Sequence, residues 1–105
     1  MDSNVLQHLD RQTFKPGELL FQEGDLTTFF YIVESGEIEI FTRNPQGQKV
    51  QLSVVKEGEP LGEFAMITKK ARSANAAALT QVTAYKVSEE GYKKLMSEIP
   101  FWAQM

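Results

Sequence analysis

No cysteine occurs in this chain. Its absence excludes disulfides, thiolate metal sites and a cysteine nucleophile together. Histidine is almost as scarce: His8 is the single one, and it stands near the N-terminus, so a histidine-ligated metal centre is excluded as well. A carboxylate-only calcium site needs a dense acidic loop, and none is present. No apolar run approaches the roughly 20 residues that cross a bilayer, and the first residues lack the basic-then-apolar pattern of a secretory signal. The expected location is cytoplasmic, with no membrane segment. Positive charge is in deficit too: 11 Lys and Arg against 14 Asp and Glu give a net charge of −3. That balance argues against broad adhesion to nucleic acid or acidic lipid. An anionic ligand has to be drawn by a local cluster of cations.

What is present reads as one small soluble domain, residues 1–105, with 42% hydrophobic and 24% charged residues. Residues 3–9 fit a short helix with Ser3 as N-cap and Val5, Leu6 and Leu9 on its apolar side. From Phe14 onwards short β-branched and aromatic segments alternate with Gly17, Gly24, Gly36, Gly47 and Gly58, a rhythm that suggests an all-β sandwich or barrel. Pro16-Gly17 predicts a turn, and Gly24-Asp25 closes the strand that follows it. Phe29 to Val33 is continuously apolar, as expected of a strand buried on both faces. With Glu37 to Ile40 it predicts a hairpin whose apex is Ser35-Gly36. In its second arm Ile38 and Ile40 should face inward while Glu37 and Glu39 stay in water. Glutamates at this spacing also invite reading as a catalytic acid and base, but a solvated strand face accounts for them. Asn44 to Gly47 is a turn, and Val50, Leu52 and Val54 should alternate inward. Two further strands are expected over 74–78 and 82–87, the first although alanine is a poor strand former; its small side chains suit a strand lying close beneath a ligand. Ser88 then caps a helix with Tyr92, Leu95, Met96 and Ile99 on its apolar face, and Pro100 interrupts it.

The densest chemistry lies between Pro60 and Ala78, PLGEFAMITKKARSANAAA. Gly62 precedes a short apolar run able to form one helical turn, whose first N–H groups lack carbonyl partners and suit an oxyanion. Arg72, nine positions after Glu63, carries a planar guanidinium that can hold two phosphate oxygens at once. Glu63 is an acceptor for a ligand hydroxyl. Lys69 and Lys70 add positive charge to the loop, although a solvated loop is the better explanation of them.

L-G-E-F-A-M followed, five residues later, by R-S-A-N-A-A-A resembles the phosphate-binding cassette of cyclic-nucleotide-binding domains, the family of catabolite activator proteins and of the regulatory subunits of cAMP-dependent protein kinase. Ala71 stands where many members have proline. The spacing of Gly24, the Phe30–Val33 run and Gly36 resembles the family's first signature, with Phe21 and Thr27 as departures. The resemblance implies a mainly β fold with flanking short helices: an antiparallel, jelly-roll-like β-roll carrying a phosphate-binding cassette. It also implies a regulatory, non-catalytic domain without a cofactor whose ligand is cAMP or, second, cGMP.

By the same resemblance Arg72 pairs with the cyclic phosphate and Glu63 accepts the ribose 2′-hydroxyl. Backbone N–H groups around Gly62, Phe64, Ala65 and Ala74 complete the anion site. Ser73 contributes a hydroxyl, and Leu61 and Val50 are candidate apolar walls. A long C-terminal helix usually follows in this family, past the last residue of this sequence. The alternative is a protein-interaction module in which Glu63 and Arg72 merely pair with each other and the apolar end at Phe101 and Trp102 seeks an effector or a second copy. No segment of the chain is expected to bind nucleic acid directly.

Overall fold

The computed structural model describes residues 9–98. They form strands β1 (Leu9–Phe14), β2 (Leu19–Phe21), β3 (Phe29–Ser35), β4 (Ile38–Arg43), β5 (Lys49–Val55) and β6 (Pro60–Leu61). Helix α1 (Glu63–Thr68), strands β7 (Asn75–Ala78) and β8 (Val82–Ser88) and helix α2 (Glu89–Ser97) follow. Two four-stranded antiparallel sheets face each other, in the orders β1-β8-β3-β6 and β2-β7-β4-β5. The expected antiparallel β-roll with short helices is thus present. Most of the expected helix over 3–9 lies outside the described residues, as do Ile99, Pro100, Phe101 and Trp102. At Leu9 the chain is already strand, paired with Val87. Four polar residues in a row, Asp10 to Thr13, hide β1 from any hydrophobic pattern; backbone pairing with β8 creates it.

The main core lies between the sheets. Leu20, Phe21, Tyr31, Val33, Ile38, Leu61, Ala76, Ala78, Val82 and Ala84 form it. A second cluster, Phe30, Met66 and Val87 with Leu9, Ile32, Tyr92 and Leu95 against it, fastens both helices to the other side of the first sheet. β3 therefore sends Tyr31 and Val33 into one core and Phe30 and Ile32 into the other. Its unbroken apolar run is the direct result. Ser88 caps α2 as expected, its Oγ accepting from Gly91 N at 3.0 Å. At the other end of the fold Asn44 Oδ1 accepts from Gln46 N (3.0 Å) and Gln48 N (2.9 Å) to close the predicted turn.

Three expectations need correction. β3 and β4 are not a hairpin, because they belong to different sheets: β3 pairs with β8 and β6, β4 with β7 and β5. The chain turns a corner at Gly36 (φ 94°), and a Cβ there would lie 2.3 Å from the Gln81 carbonyl oxygen. The crossing from β7 to β8 docks on this corner: Leu79 N donates to Glu37 O at 2.9 Å and Glu37 N to Thr80 Oγ1 at 3.1 Å. Glu39 is not in water either. Only 8% exposed, it accepts from Lys49 Nζ at 2.8 Å and Gln51 Nε2 at 3.0 Å. Both donors come from the neighbouring strand β5, opposite Arg43 and Phe41, and reach along the sheet to Glu39.

The third correction concerns β5. The register opposes Ile40 to Ser53 but Phe41 to Gln51, so Leu52 is an extra residue and the alternation flips there. Leu52 and Val50 are exposed, and Val54 lies opposite Glu39 rather than inward. Val55, opposite Ile38, packs on the core instead. Ala76 and Ala78 are core residues as well, small because Phe21 and Ile40 flank Ala76 across the sheet and Ile38 flanks Ala78. They make room for those side chains, while Ala74, just ahead of β7, lines a cavity.

Gly36→Ala should lose at least about 2 kcal/mol of stability, from left-handed strain plus a clash with a backbone atom that cannot swing away. A Tm fall of about 10 °C in a domain of this size is expected. Gly47→Ala, with nothing within 4 Å of the new methyl, should lose less than half of that in the same melting experiment.

Candidate functional site

β6 ends at Leu61, Gly62 (φ 83°) turns the chain, and α1 starts at once. Lys69, left-handed at φ 58°, ends α1 and releases the chain into an irregular loop that returns with Arg72, Ser73 and Ala74. Two backbone hydrogen bonds fix that return. Gly24 N donates to Arg72 O at 2.8 Å and Arg72 N donates to Asp25 O at 2.9 Å. The predicted turn at Gly24-Asp25 thus serves as the abutment of the cassette.

Arg72 is buried, 3% exposed. Its Nη1 donates to Gly62 O at 2.8 Å and its Nη2 to Phe29 O at 2.5 Å. The guanidinium carbon lies 4.2 Å from the centroid of the Phe21 ring and 5.2 Å from that of Phe29, stacking that favours an arginine over a lysine here. No carboxylate pairs with it among the described residues, and its buried Nε has no hydrogen-bond partner. Burial lowers the Arg72 pKa from its ordinary value, while the neighbouring Tyr31 and Asp25 oppose the shift. Burial also raises the Tyr31 pKa, and Arg72 acts against it. A cation desolvated in this way, with a donor left over, is unfavourable unless an anion or acceptor completes its shell.

The guanidinium lines a cavity of about 300 Å³ with Phe21, Ile40, Ser53, Val55, Pro60, Leu61, Gly62, Phe64, Ala65, Ser73 and Ala74. Of the residues singled out from sequence, Leu61, Gly62, Phe64, Ala65, Arg72, Ser73 and Ala74 meet here. Two do not. Val50 is absent from the lining, and Glu63 lines a separate groove with Phe30, Ile32, Tyr92, Leu95 and Met96. Glu63 makes no ion pair with Arg72, so the internal pairing that would leave the cassette without a ligand is not formed. Lys69 and Lys70 are exposed; Lys69 Nζ pairs with Glu89 at the start of α2. That contact holds the Glu89 carboxyl below the usual range.

Phe21, Ile40, Ser53, Val55 and Pro60 were not singled out. Phe21 registers in the sequence only as an unusual residue for its position, while Ser53 and Val55 become visible once the Leu52 bulge is known. A larger open trough, about 580 Å³, lies elsewhere on the second sheet among Leu19, Glu39, Phe41, Arg43 and Lys49. Size alone does not make it the site, because its cations are already engaged: Lys49 with Glu39 and with the Phe41 ring, Arg43 with Gly47 O.

Comparison with known proteins agrees with the cassette. The family described as "Cyclic nucleotide-binding domain" matches residues 11–98. A cAMP-dependent protein kinase regulatory subunit from Emericella nidulans is 33% identical over 97 residues, 92% of this chain and 23% of that protein. The Cyclic AMP receptor protein of Thermus thermophilus is 30% identical over 99 residues, 94% of this chain and 46% of that protein. This chain therefore spans less than half the length of either relative. Among solved structures, the Thermus thermophilus Catabolite Activator Protein superposes with a TM-score of 0.83 at 29% identity, over 96% of this chain and 47% of that one. The EAL enzyme Bd1971 in a half-site-occupied form gives 0.84 at 27% identity, over 91% and 86%. From the β-roll, the cassette with its buried arginine and a family match over most of its length, the chain belongs to the cyclic nucleotide-binding domain family.

Proposed function

We propose that the chain binds a cyclic nucleotide, cAMP in preference to cGMP, and acts as a non-catalytic sensor that reports occupancy to an effector or a second copy. The observation that carries this function is Arg72: a buried cation without a carboxylate partner or an acceptor for Nε among the described residues, on the wall of a cavity large enough for a small ligand. A cyclic phosphate supplies the missing charge and the missing acceptor together.

Within that cavity the phosphate lies at Arg72, Gly62 and Ala65, with the Ser73 hydroxyl beside it. The apolar wall of Ile40, Val55 and Leu61 suits a purine, and Ser53 offers the base a polar contact. Glu63 has to turn out of its groove to accept the ribose 2′-hydroxyl, which makes its contribution conditional on the ligand. The lean towards cAMP draws support from the relatives named for it. Transmission to an effector is expected because those relatives are much longer than the matched segment.

Calorimetric titration with cAMP, cGMP, 5′-AMP and 2′-deoxy-cAMP tests the proposal. Saturable binding of the 3′,5′-cyclic nucleotides is expected, cAMP the tighter, with 5′-AMP weak. Arg72→Lys keeps the charge but loses the fork and the stacking. With charge-assisted hydrogen bonds at about 1.5–3 kcal/mol each and a micromolar complex at about 8 kcal/mol, affinity should fall at least about 30-fold. Absence of heat and of thermal shift at millimolar nucleotide would favour the interaction module instead.

Gly62→Ala offers a separate check. Its Cβ would lie 2.1 Å from Arg72 Nη1, so the guanidinium is pushed from its place. At least about tenfold weaker cAMP binding should accompany a stability loss of about 1–3 kcal/mol. Unchanged affinity in a folded variant would mean that Arg72 is not where the ligand is held.

A further inference from the structure

The five residues Lys69-Lys70-Ala71-Arg72-Ser73 hold three cations just ahead of an exposed hydroxyl, and the nucleotide-binding reading uses only one of them. Lys69 and Lys70 are exposed and lie outside the cavity lining, and the segment 70–74 belongs to neither helix nor strand. Lys69 is held by a single solvent-exposed ion pair to Glu89, the kind of contact that competes weakly with another partner. Ser73 is itself exposed, yet it lies on the lining of the same cavity as buried Arg72. A loop of this kind offers a basophilic kinase its charge signature at positions −3 and −4 and a hydroxyl it can reach.

We propose that Ser73 is a phosphorylation site at which a covalent phosphate occupies the anion position of the cavity and excludes the nucleotide. The co-reactant is ATP and the catalyst a basophilic serine kinase. The bond from Ser73 Oγ to the γ-phosphorus forms as the bond to the β,γ-bridging oxygen breaks. ADP leaves, and the hydroxyl proton passes to the kinase's base. Phosphoserine carries a charge of about −1.5 to −2 and three acceptor oxygens. Arg72 Nε is the donor that lacks a partner. The modified loop therefore satisfies internally what a ligand satisfies from outside, and a second anion is repelled. Because one position serves both phosphates, bound nucleotide in turn shields Ser73 from the kinase.

The inference rests on the cavity being an anion site, so its test includes a measurement independent of nucleotide binding. The 105-residue protein is incubated with ATP and a basophilic serine kinase, with and without cAMP, and Ser73 occupancy is read by peptide mass mapping. The phosphoprotein is then titrated by 31P NMR. Ser73 should be modified in the free protein and at least about tenfold more slowly with saturating cAMP. Its phosphate should titrate at least about one pH unit below the usual value near 6, and cAMP affinity should fall at least about tenfold. In Arg72→Lys the phosphate titration should move back towards the ordinary value. No modification of Ser73 in the free protein, or a phosphate titrating near 6 as in an unstructured peptide, overturns the proposal. A depressed titration in a protein that never binds cAMP retains Ser73 as a phosphorylation site and the cavity as an anion site, and removes the nucleotide reading.

Discussion

The cassette depends on one interaction, the grip of the Arg72 guanidinium on the carbonyl oxygens of Gly62 and Phe29. Gly62 begins the cassette helix and Phe29 begins β3, one of the two inner strands of the first sheet, so a single side chain ties the loop to the roll. Phe21, from the second sheet, lies beneath it. Three parts of the chain, distant in sequence, are thereby set around one buried charge. The cation is desolvated more than its two carbonyl contacts compensate, since Nε remains without an acceptor. On the nucleotide-binding reading, stability and binding are in tension at this residue.

The surrounding fold supplies rigidity where the cassette needs it. β3 is buried on both faces, and Met66 anchors the short helix to Phe30 and Val87. The Gly24-Asp25 turn braces the returning loop. Glu63 and Arg72, neighbours by sequence logic, face different spaces: one lies on the groove beside α2, the other on the cavity. The cassette helix therefore borders both, with its N-terminal residue on the side where α2 packs.

The architecture and the cassette were legible because their signals are local. Gly62, Arg72 and Ser73 lie within one stretch of twelve residues, and turns such as Asn44 to Gly47 are written in their own side chains. What escaped was set by distant pairing. Nothing in Ser35-Gly36 reveals that the two flanking strands part company into different sheets; only the crowding of Gly36 against Gln81 does so. The parity of β5 could not be read because the extra residue, Leu52, is defined by its partner strand. That hidden bulge misdirected the apolar wall to Val50 and concealed Ser53 and Val55. Glu39 looked solvated because its alternation is regular, while its burial comes from Lys49 and Gln51 reaching across from the edge strand.

The strand order of the first sheet has a consequence for how the chain acquires its shape. β8 is the partner of both β1 and β3, and its register joins Leu9 to Val87 and Phe29 to Ser88. A chain emerging from the ribosome can form its turns and its β4–β5 ribbon early, but the first sheet has no centre until residue 88 has been made. Contacts this remote in sequence place the domain among slow, late-closing topologies. The apolar faces of β3 stay uncovered until β8 emerges, so that interval is when the nascent chain has most need of protection from its neighbours.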